Sequence, residues 1–197
     1  MHIVLASQSP SRRMILNQAG VEPLIHPSDV DEDAIMQTLQ DATPDELVTR
    51  LALAKAEKIA PDFPTDVVIG GDSMLLLDGE LQGKPHTPEA TIARWKQQRG
   101  RTAHLVTGHA ILLGEKKIVE AVQTTIRFAD ATDQDIEAYA RSGEPLQCAG
   151  AFTLEALGGW FIDSIEGDPS SVIGLSLPLV RKALYSFGLN ASDFWIR

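Results

Sequence analysis

The sequence predicts an α/β protein built on a mixed central sheet. Three observations carry that prediction. Capped segments with helical periodicity alternate with short apolar runs of strand character. Tight hairpin signals such as Asp78-Gly79 join neighbouring runs directly. Strict βαβ alternation is absent, which favours a mixed sheet over a doubly wound parallel one. The chain has 197 residues, enough for one domain of two lobes spanning 1–197. It shows no internal repeat, low-complexity block or long linker.

Ile3-Val4-Leu5-Ala6 reads as the first strand and runs into Ser7-Gln8-Ser9-Pro10-Ser11-Arg12-Arg13. Ser9 is a natural N-cap, and Pro10 suits the first helical position because its missing N–H would have no intrahelical partner. That helix ends at Gly20, and Val21 to Ile25 is a candidate strand before a polar turn and the acidic cluster Asp31-Glu32-Asp33. Thr43-Pro44-Asp45-Glu46 forms a capping box that opens a helix reaching about Ala60 and stopped by Pro61. Its apolar face includes Val48, Leu51, Ala52 and Ile59, and Lys55 falls on that face. A lysine so placed either snorkels to water or serves a site.

Val67-Val68-Ile69 reads as a buried strand that breaks at Gly70-Gly71, with Asp72 immediately after. Met74 to Leu77 resumes the strand, Asp78-Gly79 turns it, and Glu80 to Gly83 returns towards Lys84-Pro85. Thr87-Pro88-Glu89 caps a helix ending near Gly100, and two alternating segments follow, about His104 to Leu112 and Val119 to Phe128. Thr132 to Arg141 is a helix closed by Gly143 and Pro145. The glycine-rich stretch from Ala149 to Gly174 holds short strands, Trp160-Phe161-Ile162 among them, and a last helix runs from near Pro178 to before Gly188.

Composition narrows the function classes. Net charge is −10, from 17 basic and 27 acidic residues, which argues against broad nucleic-acid or membrane-surface binding. No apolar run approaches the roughly 20 residues needed to span a bilayer, and a signal-peptide pattern is missing. A single cysteine, Cys148, rules out an intramolecular disulfide framework and fits a reducing cytoplasm. Zinc-type His/Cys spacing is absent, and neither a G-x-S-x-G turn nor a nucleophile signature around Cys148 supports acyl transfer. The tryptophans and Phe152 read as core rather than base-stacking platforms.

What remains points to phosphate. A helix start presents unpaired N–H groups and the positive end of the macrodipole. Ser7, Ser9, Arg12 and Arg13 add hydroxyls and guanidiniums there, although an ordinary cap with solvated arginines gives the same letters. Asp72 is the candidate catalytic carboxylate; its plain alternative is a turn cap. Pairing Leu77 with Glu80 across the hairpin places Ser73 opposite Lys84, so a bulge at Gly71 or Gly83 is required to bring Asp72 and Lys84 together. Arg12, Lys55 and Lys84 can neutralise a polyphosphate while Asp72 holds a metal or accepts a proton from water. Glu32 is a second carboxylate for a divalent ion, or else part of a solvated acidic surface.

Taken in order, these pieces resemble the Maf-like nucleotide pyrophosphatases almost end to end. The matching segments are Ser7-Gln8-Ser9-Pro10 with Arg12, Lys55-Ala56, Gly71-Asp72-Ser73, and Gly83-Lys84-Pro85. His104, Val106-Thr107-Gly108, Ala149-Gly150-Ala151, Ile165-Glu166-Gly167-Asp168 and Val172-Ile173-Gly174-Leu175 complete the pattern. The resemblance implies an elongated, two-lobed fold like that of the inosine-triphosphate pyrophosphatases, with substrate in a cleft, and a cytoplasmic homodimer. It implies hydrolysis of a nucleoside triphosphate, canonical or modified, to monophosphate and pyrophosphate with magnesium or manganese, in a house-cleaning role. Asp72 would then activate water for attack at the α-phosphorus, and Ser7, Ser9 and Arg12 would hold the phosphate chain. Lys55 and Lys84 would stabilise developing charge, and Glu32 would join Asp72 on the metal. The family's association with arrest of septum formation gives a second expectation, a nucleotide-binding regulator of division with little catalysis. Four positions depart from the pattern: Ser11 in place of an arginine, Cys148 of a lysine, Glu155 of a glutamine and Ser171 of an asparagine.

Overall fold

A computed structural model describes residues 1–196 of the chain. Seven strands are found among them: β1 Ile3–Leu5, β2 Leu24–Ile25, β3 Val67–Leu77, β4 Glu80–Gln82, β5 Thr102–Leu113, β6 Lys116–Phe128 and β7 Ile162–Glu166. The helices are α1 Pro10–Gln18, α2 Glu32–Gln37, α3 Pro44–Ile59, α4 Pro88–Gln98, α5 Asp133–Arg141, α6 Pro169–Ile173 and α7 Leu177–Phe187. Strand order is β2-β1-β3-β5-β6-β7, with β4 hydrogen-bonded to β3. β1 runs parallel to both β2 and β3, whereas the β3–β4 and β6–β7 pairs are antiparallel. The mixed sheet expected from the hairpin signals is present.

The chain divides into two compact units. The first takes Met1–Asp72, Thr107–Val122 and the stretch from Gly174 on. Ser9 on α1 and the full Thr43/Glu46 box on α3 are the caps written in the sequence, and Ser176 caps α7. One core cluster here gathers Val4, Ala6, Ala52, Ala56, Val68, Ala110 and Leu112. The small residues on α3 matter because the helix lies almost on the strand backbones. A Cβ built on Gly70 would sit 2.1 Å from the carbonyl oxygen of Ala52, and one on Gly108 would sit 2.3 Å from that of Val48. Glycine at these two positions is therefore a packing requirement.

That corrects the expected break. β3 continues unbroken through Gly70, Gly71 and Asp72 to Leu77, because the glycines admit a neighbour without ending the strand. Other expectations change similarly. Only Leu24–Ile25 of the Val21–Ile25 segment is strand, and the acidic cluster opens a short helix, with Asp31 accepting the N–H of Ala34 at 2.9 Å as its cap.

The second unit comprises Ser73–Val106 and Gln123–Ile173. Asp78 and Gly79 both adopt positive φ (51° and 85°), the backbone that a two-residue hairpin needs. The core of this unit is aromatic: Trp95 is fully buried and meets Phe128, Tyr139 and Phe161 edge-on at 5.4–5.7 Å between ring centres. Its indole N–H donates to the Ala151 carbonyl at 2.7 Å. Phe152 is buried as expected, but Trp160 is 83% exposed and Trp195 57% exposed, so the core reading fails for two of the three tryptophans. Trp160 and Phe161 belong to a 3₁₀ turn, Leu157–Phe161, and strand begins only at Ile162.

One unexpected hub holds this region. Glu144 accepts hydrogen bonds from the Thr153 hydroxyl and from the N–H groups of Leu157 (3.1 Å) and Gly158 (3.0 Å). Burial pushes its carboxyl up, but those bonds outweigh burial and hold it below the usual carboxylate range. A group whose value is depressed on folding stabilises the protein above its unfolded range, and that stabilisation disappears as pH falls through the folded value. Glu144→Gln should accordingly melt at lower temperature than the parent near neutral pH. The gap should close below about pH 4, as thermal unfolding followed across a pH series will report.

Candidate active site

Six of the expected functional side chains lie together in the first unit, around β3, α1, α2 and α3. Side chains alternate along a strand, so Gly70 and Asp72 face the same way, towards α3. The bare Gly70 lets Ala52 and Ala56 close onto the sheet. Lys55, on the same face of α3, is thereby brought to Asp72, with its ammonium 2.7 Å from Oδ1. The same ammonium lies 2.9 Å from Oε1 of Glu32, the first residue of α2. Lys55 (7% exposed) thus bridges two carboxylates instead of snorkelling to water.

Gly71 faces the opposite way, and there its missing side chain makes room for Arg12: a Cβ would stand 3.0 Å from the guanidinium Nε. Arg12 is 9% exposed, matching Asp72. Its Nε donates to the Gly174 carbonyl at 2.8 Å and its Nη1 to the Ser7 hydroxyl at 3.1 Å. Burial lowers the pKa of this guanidinium, and the charges of Asp72 and Glu32 oppose the shift. Ser7 Oγ also accepts the N–H of Ser9 at 3.2 Å, and Ser9 Oγ caps α1 through the N–H of Arg12 at 3.4 Å. With its oxygen accepting two bonds, Ser7 retains a hydroxyl proton to donate to an anion.

Arg13 is exposed, about 100° further round α1. It lines a depression of about 330 Å³ with Gln8, Ser9, Met14 and Asn17, outside the Arg12–Asp72 cluster.

Lys84 belongs to the second unit. β3–β4 pairing stops at Leu75↔Gln82, short of Lys84, with no bulge in that ladder. The expected bulge at Gly71 or Gly83 is therefore absent, and the cation that salt-bridges Asp72 is Lys55. Lys84 is instead fixed through its neighbours. The Gly83 carbonyl accepts both the N–H of Gly150 and the Arg94 guanidinium, and the N–H of His86 reaches the Leu146 carbonyl at 2.9 Å. Arg94 and Glu144 carried no motif of their own, and only the register of distant loops reveals them.

A family model described as Maf-like protein matches residues 2–187. The chain belongs to the Maf-like family. Curated relatives agree over their full lengths. A protein of Corynebacterium efficiens is 82% identical over 197 residues, covering 100% of both chains, and is named nucleoside triphosphate pyrophosphatase. One of Corynebacterium glutamicum with the same name is 73% identical over 99% of each chain. Another, from Nocardia farcinica, is 54% identical over 98% of this chain and 96% of its own.

Among the positions that depart from the usual Maf-like pattern, Cys148 is the most informative. Its thiol is pushed up to about 11, by burial first and then by the carboxylates of Glu155 and Glu144, with Lys84 acting against them. A thiol so protonated is a poor nucleophile.

Among the described residues, no group of three or more His, Cys, Asp and Glu side chains is arranged to hold a metal. Magnesium-type ions, however, take one or two carboxylates and complete their shell with water and substrate phosphates. Asp72 and Glu32 supply that pair, already gathered around one positive centre, so the residues fit.

Proposed function

We infer that this protein is a nucleoside triphosphate pyrophosphatase, cleaving its substrate to a nucleoside monophosphate and pyrophosphate, with the whole chain serving as one catalytic domain. The observation that carries the inference is Lys55 bridging Asp72 and Glu32 beside the buried Arg12. The names of the full-length relatives support the same reaction and favour it over a purely regulatory role.

In this reading, Ser7, Ser9 and Arg12 bind the phosphate chain at the start of α1, where N–H groups and the helix dipole favour negative charge. Arg13 reaches its outer end. Water is held at the α-phosphorus and yields a proton to the Asp72 carboxylate as its oxygen bonds phosphorus. The bridging P–O bond breaks, and pyrophosphate leaves with the bonding electrons. Lys55 offsets the charge that develops on the phosphoryl oxygens. Within the Arg12–Lys55–Asp72–Glu32 cluster, two cations and two carboxylates cancel, so a triphosphate bound there needs further positive charge. Glu32 and Asp72 would hold magnesium or manganese for that purpose, and the ion would neutralise the phosphates and polarise the one under attack. The protein is further proposed to be a cytoplasmic homodimer. Among the described residues, no helix is long and apolar enough to cross a membrane. Light scattering should return the mass of two chains.

A panel of nucleoside triphosphates with magnesium or manganese tests the reaction. Pyrophosphate and monophosphate should appear in equal amounts, stop on chelation and resume when metal is restored. Release of orthophosphate would make the reaction class wrong.

A further inference from the structure

His109 is completely buried on β5, and the mechanism above makes no use of it. Its Nε2 accepts the backbone N–H of Ser176 at 2.9 Å, so a neutral ring carries its proton on Nδ1. Ser176 is held a second time, because its hydroxyl caps α7 by accepting the N–H of Leu179 at 3.1 Å. Two residues upstream, Gly174 presents the carbonyl that receives Arg12 Nε. Gly174 has φ of 128°, a conformation that side-chain-bearing residues rarely adopt, and a Cβ there would stand 3.4 Å from Arg12 Cγ. Leu175 between them is fully buried. The span Gly174–Ser176 is thus anchored at its end by His109 and the α7 cap, and it offers one carbonyl to the guanidinium.

We propose that His109 is a positioning residue for Arg12, setting the Gly174 carbonyl that orients the guanidinium for the triphosphate. The proposal rests on the reading of Arg12 as a phosphate ligand. The chemistry explains why a ring nitrogen is used. The N–H of a helix-capping residue has no partner within its helix, and in a buried setting it must find an acceptor. Leucine would fill the space but supply no lone pair, leaving that N–H unsatisfied and the span free to shift. Glutamine can bring its Oε1 close to the place of Nε2; asparagine is too short to reach it.

The test uses affinity for an α,β-methylene nucleoside triphosphate, read by calorimetry with magnesium, alongside kcat and KM for the fastest substrate of the panel. His109→Leu should weaken analogue binding and raise KM by roughly five- to tenfold, the effect of one lost orienting hydrogen bond. kcat should change far less. His109→Gln should restore most of the loss, whereas His109→Asn should not. In an Arg12→Met background, His109→Leu should add nothing, because the residue it positions is gone. Thermal unfolding identifies any variant that fails to fold, and the glutamine–asparagine comparison remains if leucine does. An unchanged affinity in Arg12→Met would remove Arg12 from phosphate binding and overturn the proposal by that route. A loss in Arg12→Met with none in His109→Leu or His109→Asn would overturn the proposal alone. Equal losses in the glutamine and asparagine variants, or full additivity with Arg12→Met, would do the same.

Discussion

Asp72→Asn is expected to lower kcat by about 10²- to 10⁴-fold, the range for loss of a positioned general base. The substitution is chosen because it preserves shape. An amide oxygen can still accept from the Lys55 ammonium, now 2.7 Å from Oδ1, and that ammonium keeps its second partner, Glu32. What disappears is the group that accepts a proton, together with one of two carboxylates available to a divalent ion. The fold should therefore survive while turnover fails, and a pyrophosphate-release assay with a melting curve on the same sample separates the two. Turnover within tenfold of the parent would take Asp72 out of the role given to it.

Gly70→Ala should be the most damaging single methyl in the first unit. Its Cβ would fall 2.1 Å from the Ala52 carbonyl oxygen and 2.9 Å from the Ala56 nitrogen. Both are backbone atoms in the middle of α3, so no side chain can swing aside, and either the helix or β3 must move. Overpacking of this kind costs typically 1–3 kcal/mol and occasionally more; with a rigid obstacle, about 3 kcal/mol is expected. For a chain of this size that corresponds to a fall in Tm of about 6–12 °C. Activity should suffer even in the folded fraction, because α3 carries Lys55 and a displaced helix withdraws it from Asp72. A melting temperature within about 2 °C of the parent would show that α3 does not depend on the bare strand.

These two positions also show what could be read from letters alone. Gly70-Gly71-Asp72 stands out in the sequence and marks the carboxylate as the catalytic candidate, but the same letters read as a strand break where β3 in fact continues. Sequence cannot distinguish a glycine that breaks a strand from one that admits a neighbour at close range. The difference lies in which helix lands there, and that is tertiary. Helix starts were legible because capping is local: Ser9, Thr43, Thr87 and Thr132 each accept the N–H three residues on. The start of α2 was not, since a run of three acidic residues looks the same whether solvated or capping.

Lys55 posed the reverse problem. Helical spacing placed it on an apolar face, and only the register of α3 against β3 shows that Asp72 and Glu32 wait there. The hairpin register expected for Lys84 runs two residues too far, because the ladder ends at Gln82. Glu144, Arg94 and His109 escaped notice for a common reason. Each acts on backbone groups far away in sequence, 14, 11 and 67 residues in the longest cases, and such partners leave no spacing to detect.

Hydrolysis in ¹⁸O-labelled water with magnesium, followed by mass spectrometry of both products, asks the decisive question of the Asp72 centre. Label should enter the nucleoside monophosphate alone, leaving pyrophosphate unlabelled, and both should vanish together in Asp72→Asn. Label in the pyrophosphate would place the attack at the β-phosphorus. That outcome would contradict the arrangement in which Arg12 and the start of α1 hold the chain while Asp72 directs water to its inner end.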